Sequence, residues 1–192
     1  MPTTATTARA NVREHILDVA LQLMSEHGSA AVSMRQLAQA CGVQVAAIYH
    51  YFPSKEDLLA KVVEERRYTS RSFDLPEGLE QAPVAERLLA VFELFWNGAL
   101  DEEPVLRLLL GEAIRGQAVA LPMGETLLQV FHDGVVTAIK GLIPEIDEPE
   151  VAAQAVVAHV FSGFIRHIFE PLTPSDELGS AHGRMLVRTL GV

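Results

Sequence analysis

The sequence predicts an all-α protein of about nine helices. Apolar residues recur at helical spacing along most of the chain, and no stretch alternates with the period of two that a half-buried strand needs. Capping signals of the S-x-x-Q and S-x-x-D kind stand before such stretches, as at Ser33 with Gln36 and Ser54 with Asp57. Prolines 83, 104, 149 and 174 each precede a helical pattern, where the fixed φ of proline suits a first turn.

Taken in order, residues 1–8 (MPTTATTA) are small and polar and read as an unstructured tail. Arg9 and Arg13 follow, placed either to reach phosphate or the minor groove, or as a solvated helix start. The first helix carries Val12, Ile16, Ala20, Leu23 and Met24 on one stripe and ends at Gly28. The second starts at a capping box made by Ser33 and Gln36, buries Leu37, Ala38 and Cys41, and stops at Gly42, which tolerates positive φ. The third restarts at once. Ile48 and Phe52, one turn apart, anchor it. Gln44, Val45, Ala46, Ala47, Tyr49 and His50 are left on or near its outer face, and Pro53 ends it. A fourth helix opens at Ser54 and runs to about Ser70. Lys55 in its first turn opposes the helix dipole, which favours anions there; a nearby phosphate would account for the choice.

Phe73 to Pro83, with Pro76 and Gly78, reads as a connection. Five further helices are expected at about 83–100, 104–119, 123–142, 149–169 and 174–190, with Thr173 and Asp176 as a capping signal for the last. This gives two domains. Residues 9–69 hold the helix-turn-helix at 33–52, and 83–190 form a helical bundle.

The net charge of −10 opposes binding to phosphates, which demand cations, but it is unevenly spread. Residues 1–71 hold eight Lys/Arg against seven Asp/Glu; residues 72–192 hold seven against eighteen. The acidic load therefore lies beyond the helix-turn-helix. A lone cysteine excludes an internal disulfide and a multi-cysteine metal site. No apolar leader is seen, so a cytoplasmic location is expected. The uncharged run Val151–Ile165 is too short to span a bilayer and reads as a buried helix, so no membrane partner is expected. No Ser/His/Asp or Cys/His constellation and no Gly-rich phosphate loop is present, which argues against an enzyme. Histidines 132, 159 and 167 lack tight ligand spacing, so neither a metal nor a cofactor is expected.

The stretch from Arg13 to Leu59 closely resembles the amino-terminal domain of the TetR family of transcriptional regulators. The matching positions are Ile16-Leu17, Ala20, Gly28, Ser33, Leu37-Ala38, Gly42-Val43, Ile48-Tyr49, Tyr51-Phe52, Ser54-Lys55-Glu56 and Leu58. The chain departs from the family pattern at four places. Gln44 stands where Ser or Thr usually caps the recognition helix, and Val45, Ala46 and Ala47 are unusually apolar for a base-reading surface. Met34 replaces a common hydroxyl residue, and Cys41 a common alanine.

The resemblance implies a DNA-binding regulator, most simply a repressor. It also implies a homodimer built from the last two helices, with Val151, Ala155, Ala158, Ser162, Ile165, Leu186, Val187 and Leu190 as the candidate surface. Double-stranded operator DNA is the expected partner. Gln44 and Arg35 would supply polar base or phosphate contacts. Tyr49, His50 and Lys55 would clamp phosphates, with Ser33 adding one. Val45, Ala46 and Ala47 would touch thymine methyls. A small apolar or amphipathic effector is expected in the second domain. Its candidate contacts are Phe92, Phe95, Trp96, Arg107, Leu110, Phe131, His132, His159 and Phe164. The alternatives are an activator, a corepressor-dependent regulator and, further off, an enzyme or partner-binding protein that uses the helical pocket.

Overall fold

The computed structural model describes residues 4–66, 78–118 and 120–192, without the side chains of residues 4–10 and 66. The Arg9 side chain, Arg67 and residues 73–77 of the expected connection at 73–83 lie outside that description. The described residues form nine α-helices and no strand: α1 Thr4–His27, α2 Met34–Cys41, α3 Val45–Tyr51, α4 Lys55–Arg66, α5 Val84–Asp101, α6 Glu103–Ile114, α7 Ala120–Leu142, α8 Pro149–Phe169 and α9 Ser175–Leu190.

Three local expectations change. Thr4–Ala8, expected as an unstructured tail, open α1. Helix α6 ends at Ile114, before Gly116 at φ 71°, rather than near 119. At α9 the residue preceding the helix is Pro174, and no side chain caps it, so the Thr173–Asp176 signal is not used.

The helices fall into two compact units. The first holds α1–α4, α6 and the start of α7. The second holds α5, most of α7, α8 and α9. The expected boundary between 9–69 and 83–190 would have put α6 with the second group, but α6 packs on α1 and α4.

The first unit is centred on α1, which touches α2, α4 and α6. Ile16, Leu17, Ala20 and Met24 recur at helical spacing and are buried, as are Leu37, Ile48, Phe52, Leu58 and Val62 further along the chain. In the second unit α5 contributes the stripe Leu88, Val91, Phe92, Phe95, Trp96 and Ala99. Trp96 sits between two glycines. A Cβ at Gly163 would come within 2.9 Å of its ring, and one at Gly179 within 2.5 Å of its Nε1. The missing side chains let α8 and α9 close on α5. Arg87 is buried and donates to the Leu142 carbonyl at 2.7 Å and to Glu145, which closes the end of α7 on α5. By length and composition α8 would suffice to cross a bilayer. Here it packs on α5 and α9, with Ala152, Ala153, Val156 and Phe164 buried.

Candidate nucleic-acid interface

The turn between α2 and α3 is built from both ends. Ser33 Oγ accepts from the Gln36 backbone N–H at 3.2 Å, and the Gln36 side chain accepts from the Ser33 N–H at 2.9 Å. This reciprocal box satisfies two donors that a helix start leaves open. At the other end Gly42 adopts φ 67°, ψ 27°, and the Val43 N–H reaches back to the Ala38 carbonyl at 3.0 Å. A left-handed residue at this position reverses the chain within one turn.

Helix α3 is seven residues long, and of these only Ile48 is buried. Ile48 and the following Phe52, both fully buried, fix its orientation. Gln44 precedes it in an extended conformation and makes no side-chain cap, as its departure from Ser or Thr suggests. Tyr49 is half exposed; Gln44, Ala46 and His50 are exposed, and Val45 and Ala47 partly so. Ser33 and Arg35 at the start of α2 are exposed too, whereas Met34 is buried. Ser33, Met34, Arg35, Val45 and Tyr49 line one open cleft, which brings the start of α2 and the outer face of α3 together.

The start of α4 is capped as its sequence suggests, with the Asp57 N–H donating to Ser54 Oγ at 3.0 Å. Lys55 is half-buried, and its Nζ donates to the Ala30 carbonyl at 3.4 Å. Part of the reason for a lysine in this first turn is therefore intramolecular: it ties α4 to the 3-10 turn Ser29–Ala31. Arg13 is engaged within the chain. Its guanidinium bonds Glu65 and lies over the Phe52 ring at 5.5 Å.

The expected effector residues divide between the units. Phe92, Phe95, Trp96 and Phe164 are buried. Phe92 stacks on Trp96 with centroids 6.3 Å apart, and Phe95 meets Phe131 edge-on at 5.0 Å. His159 lies edge-on to the buried His182 at 6.0 Å. His132 is part-exposed beside Asp133. Arg107 and Leu110 belong to α6 in the first unit, where Arg107 Nε bonds Glu103 at 2.5 Å. Among the described residues, no three His, Cys, Asp or Glu side chains gather as metal ligands would.

One residue escaped the sequence reading. Glu112 of α6 is 1% exposed and bonds the turn that precedes α2. The available signal was a single acid within the apolar run Leu108 to Ile114.

Comparison with known proteins agrees with this geometry. The model of the family described as "Bacterial regulatory proteins, tetR family" matches residues 16–62. The chain is 39% identical over 180 residues to the HTH-type transcriptional regulator BetI of Agrobacterium fabrum, which spans 91% of this chain and 84% of that one. It is 46% identical over 52 residues to the HTH-type transcriptional regulator AcrR of Shigella flexneri, a match that spans only 24% of AcrR. Among solved structures the SmeT–triclosan complex matches with a TM-score of 0.71 at 21% identity, covering 93% of this chain and 91% of that one.

Proposed function

The chain belongs to the TetR family of bacterial regulatory proteins, and from that premise we propose that it is a repressor released from a palindromic operator by a small apolar or amphipathic molecule. As a family member it is a DNA-binding transcriptional regulator that acts as a dimer, and not an enzyme.

The observation that carries the reading is the cleft that joins Ser33 and Arg35 to Val45 and Tyr49, with the rest of α3 held by Ile48. A helix presented this way enters a major groove with few side chains. Arg35 and Gln44 read base edges or phosphate. Val45, Ala46 and Ala47 meet thymine methyls, and Ser33, Tyr49, His50 and Lys55 hold the backbone. Phosphate contacts position the protein, and base contacts specify the site. With so few base contacts, specificity leans on two half-sites read together, and two-fold symmetry sets their spacing.

The dimer surface we assign is the stripe Val151, Ala155, Ala158, Ser162, Ile165 and Phe169 on α8. It advances by alternating steps of four and three residues and stays unburied within one chain. Leu190 of α9 joins it, while the fully buried Leu186 belongs to the core of its own chain. Small residues there permit close helix approach.

The effector-binding region we assign is the second unit, lined by Phe92, Phe95, Trp96, Phe131, His132, His159 and Phe164. A protein of similar fold, SmeT, is solved with triclosan, which supports a small-molecule role. Such a molecule releases DNA only if it binds the two conformations unequally, and the coupling is then reciprocal. A cytoplasmic location fits this role.

The test is a gel-shift titration on a duplex selected from a randomised library by the unmodified protein. Tyr49→Ala and Lys55→Ala are expected to weaken binding by about tenfold each, at about 1–2 kcal/mol per lost charged or polar contact. Unchanged affinity in both variants would remove α3 and the α4 start from the interface.

A further inference from the structure

Glu112 is an acid buried to 1% exposure that the reading of DNA leaves without a task. Its neighbours on the inner face of α6, Val105, Leu108 and Leu109, are apolar. An apolar residue in its place would fill the same space without the cost of burying a carboxylate, a cost that only hydrogen bonds offset. Those bonds are present, and two of them converge on one residue. Oε1 accepts from the Ser29 backbone N–H at 2.9 Å, and Oε2 accepts from the Ser29 hydroxyl at 2.5 Å. Arg115, one turn further on, donates from Nη1 to Oε1 at 2.7 Å. The same guanidinium covers Gly28, which has φ 81°, so that a Cβ there would lie 2.6 Å from Nη2.

The gripped segment is the single turn Ser29–Ala31 between α1 and α2. From its other side, Lys55 of α4 holds the Ala30 carbonyl. Only Val32, itself buried, separates the turn from Ser33, which caps α2. Charge-assisted hydrogen bonds are directional, so they fix a position where apolar contacts only bury area.

We propose that Glu112 is a positioning residue for DNA binding. Its carboxylate fixes the Ser29–Ala31 turn and thereby sets where α2 begins and how α3 is presented. The inference rests on the reading of α2 and α3 as the surface that enters the groove. Without the grip the turn samples several placements, and the apparent affinity falls with the fraction that remains competent. No phosphate contact is lost, so the same counterions are released and the dependence of log K on log salt keeps its slope.

The experiment uses the full chain and the library-selected duplex, with fluorescence anisotropy at a series of salt concentrations. Glu112→Met keeps the volume and removes both acceptors. It is expected to weaken binding by about tenfold, as if about one molecule in ten were competent, with the salt slope unchanged. Glu112→Gln is expected to restore affinity to within about twofold, because its amide oxygen still accepts from the Ser29 N–H while its amide nitrogen donates to the Ser29 hydroxyl. Ser29→Ala removes one of the two links and is expected to fall between them.

If Glu112→Met lowers the melting temperature but binds within about twofold of the parent, while Tyr49→Ala loses binding, Glu112 is only structural and the inference is overturned. A salt slope reduced by about one in Glu112→Met overturns it too, since a phosphate contact would then have been lost. If Tyr49→Ala costs nothing, the groove reading fails and takes this inference with it. Should Glu112→Met not fold, Ser29→Ala decides by the same readouts.

Discussion

Arg13 of α1 holds Glu65 of α4 through two parallel hydrogen bonds, 2.6 and 2.5 Å long, across 52 residues of sequence. The pair is part-exposed, so its worth is modest, but the bidentate geometry suits arginine alone. Arg13→Lys is expected to lower stability by about 0.5–1 kcal/mol in urea unfolding. The salt slope of duplex binding is expected to stay where it was. A slope reduced by about one would place Arg13 on phosphate instead.

Two glycines are needed for opposite reasons. Gly42 has open space where a Cβ would go, so Gly42→Ala is opposed only by the left-handed backbone, at about 1–2 kcal/mol. Gly179 is an ordinary helical residue whose Cβ would strike Trp96, so Gly179→Ala acts by overpacking, at about 1–3 kcal/mol. Gly42→Asn is expected to recover part of the loss, because Asn tolerates that conformation, whereas Gly179→Asn is expected to recover none. Thermal unfolding of the four variants distinguishes the mechanisms.

Burial pushes the His182 imidazole below its ordinary value of 6.5, and His159 and Arg166 push in the same direction. Burial lowers His159 as well. The folded protein keeps these rings neutral, while the unfolded chain takes up protons below about pH 6.5. Linkage then makes stability full above that pH and progressively lost as pH falls through it toward the folded values. Melting curves from pH 8 to pH 5 are expected to show the drop, and His182→Leu is expected to shrink it. An identical pH profile in His182→Leu would assign the acid sensitivity elsewhere.

Ala158 is exposed in the single chain and lies in the middle of the α8 stripe. Ala158→Arg therefore disturbs nothing inside one chain, but it meets a partner if two α8 helices approach closely. Sedimentation is expected to show a folded monomer, and binding to the two-half-site duplex is expected to fall by more than about tenfold, since one reading head contacts few bases. A dimer of unchanged affinity would place the interface on another face.

Features set by neighbours along the chain were legible before the fold was known. The capping box at Ser33, the reversal at Gly42 and the one-turn spacing of Ile48 and Phe52 depend on residues at most five apart. Features that depend on distant segments were not. Nothing in the spacing of Arg13 reveals that Glu65 will face it, and Ser29 and Glu112 are 83 residues apart. The grouping of α6 with α1 and α4 was hidden for the same reason, because an apolar helix face does not name the helix that will cover it. Thr173 shows the limit of local signals: it stands one residue too early, and the helix begins after Pro174 instead.

Helix α3 has seven residues and is about 10 Å long at 1.5 Å per residue. A helix that short does not persist alone in water. The surface we assign to DNA therefore lasts only while Ile48 and Phe52 stay seated in the core. Substitutions that loosen that core away from the groove would register first as errors in choosing a sequence, before the chain unfolds, which makes fidelity a more sensitive gauge of this fold than its melting temperature.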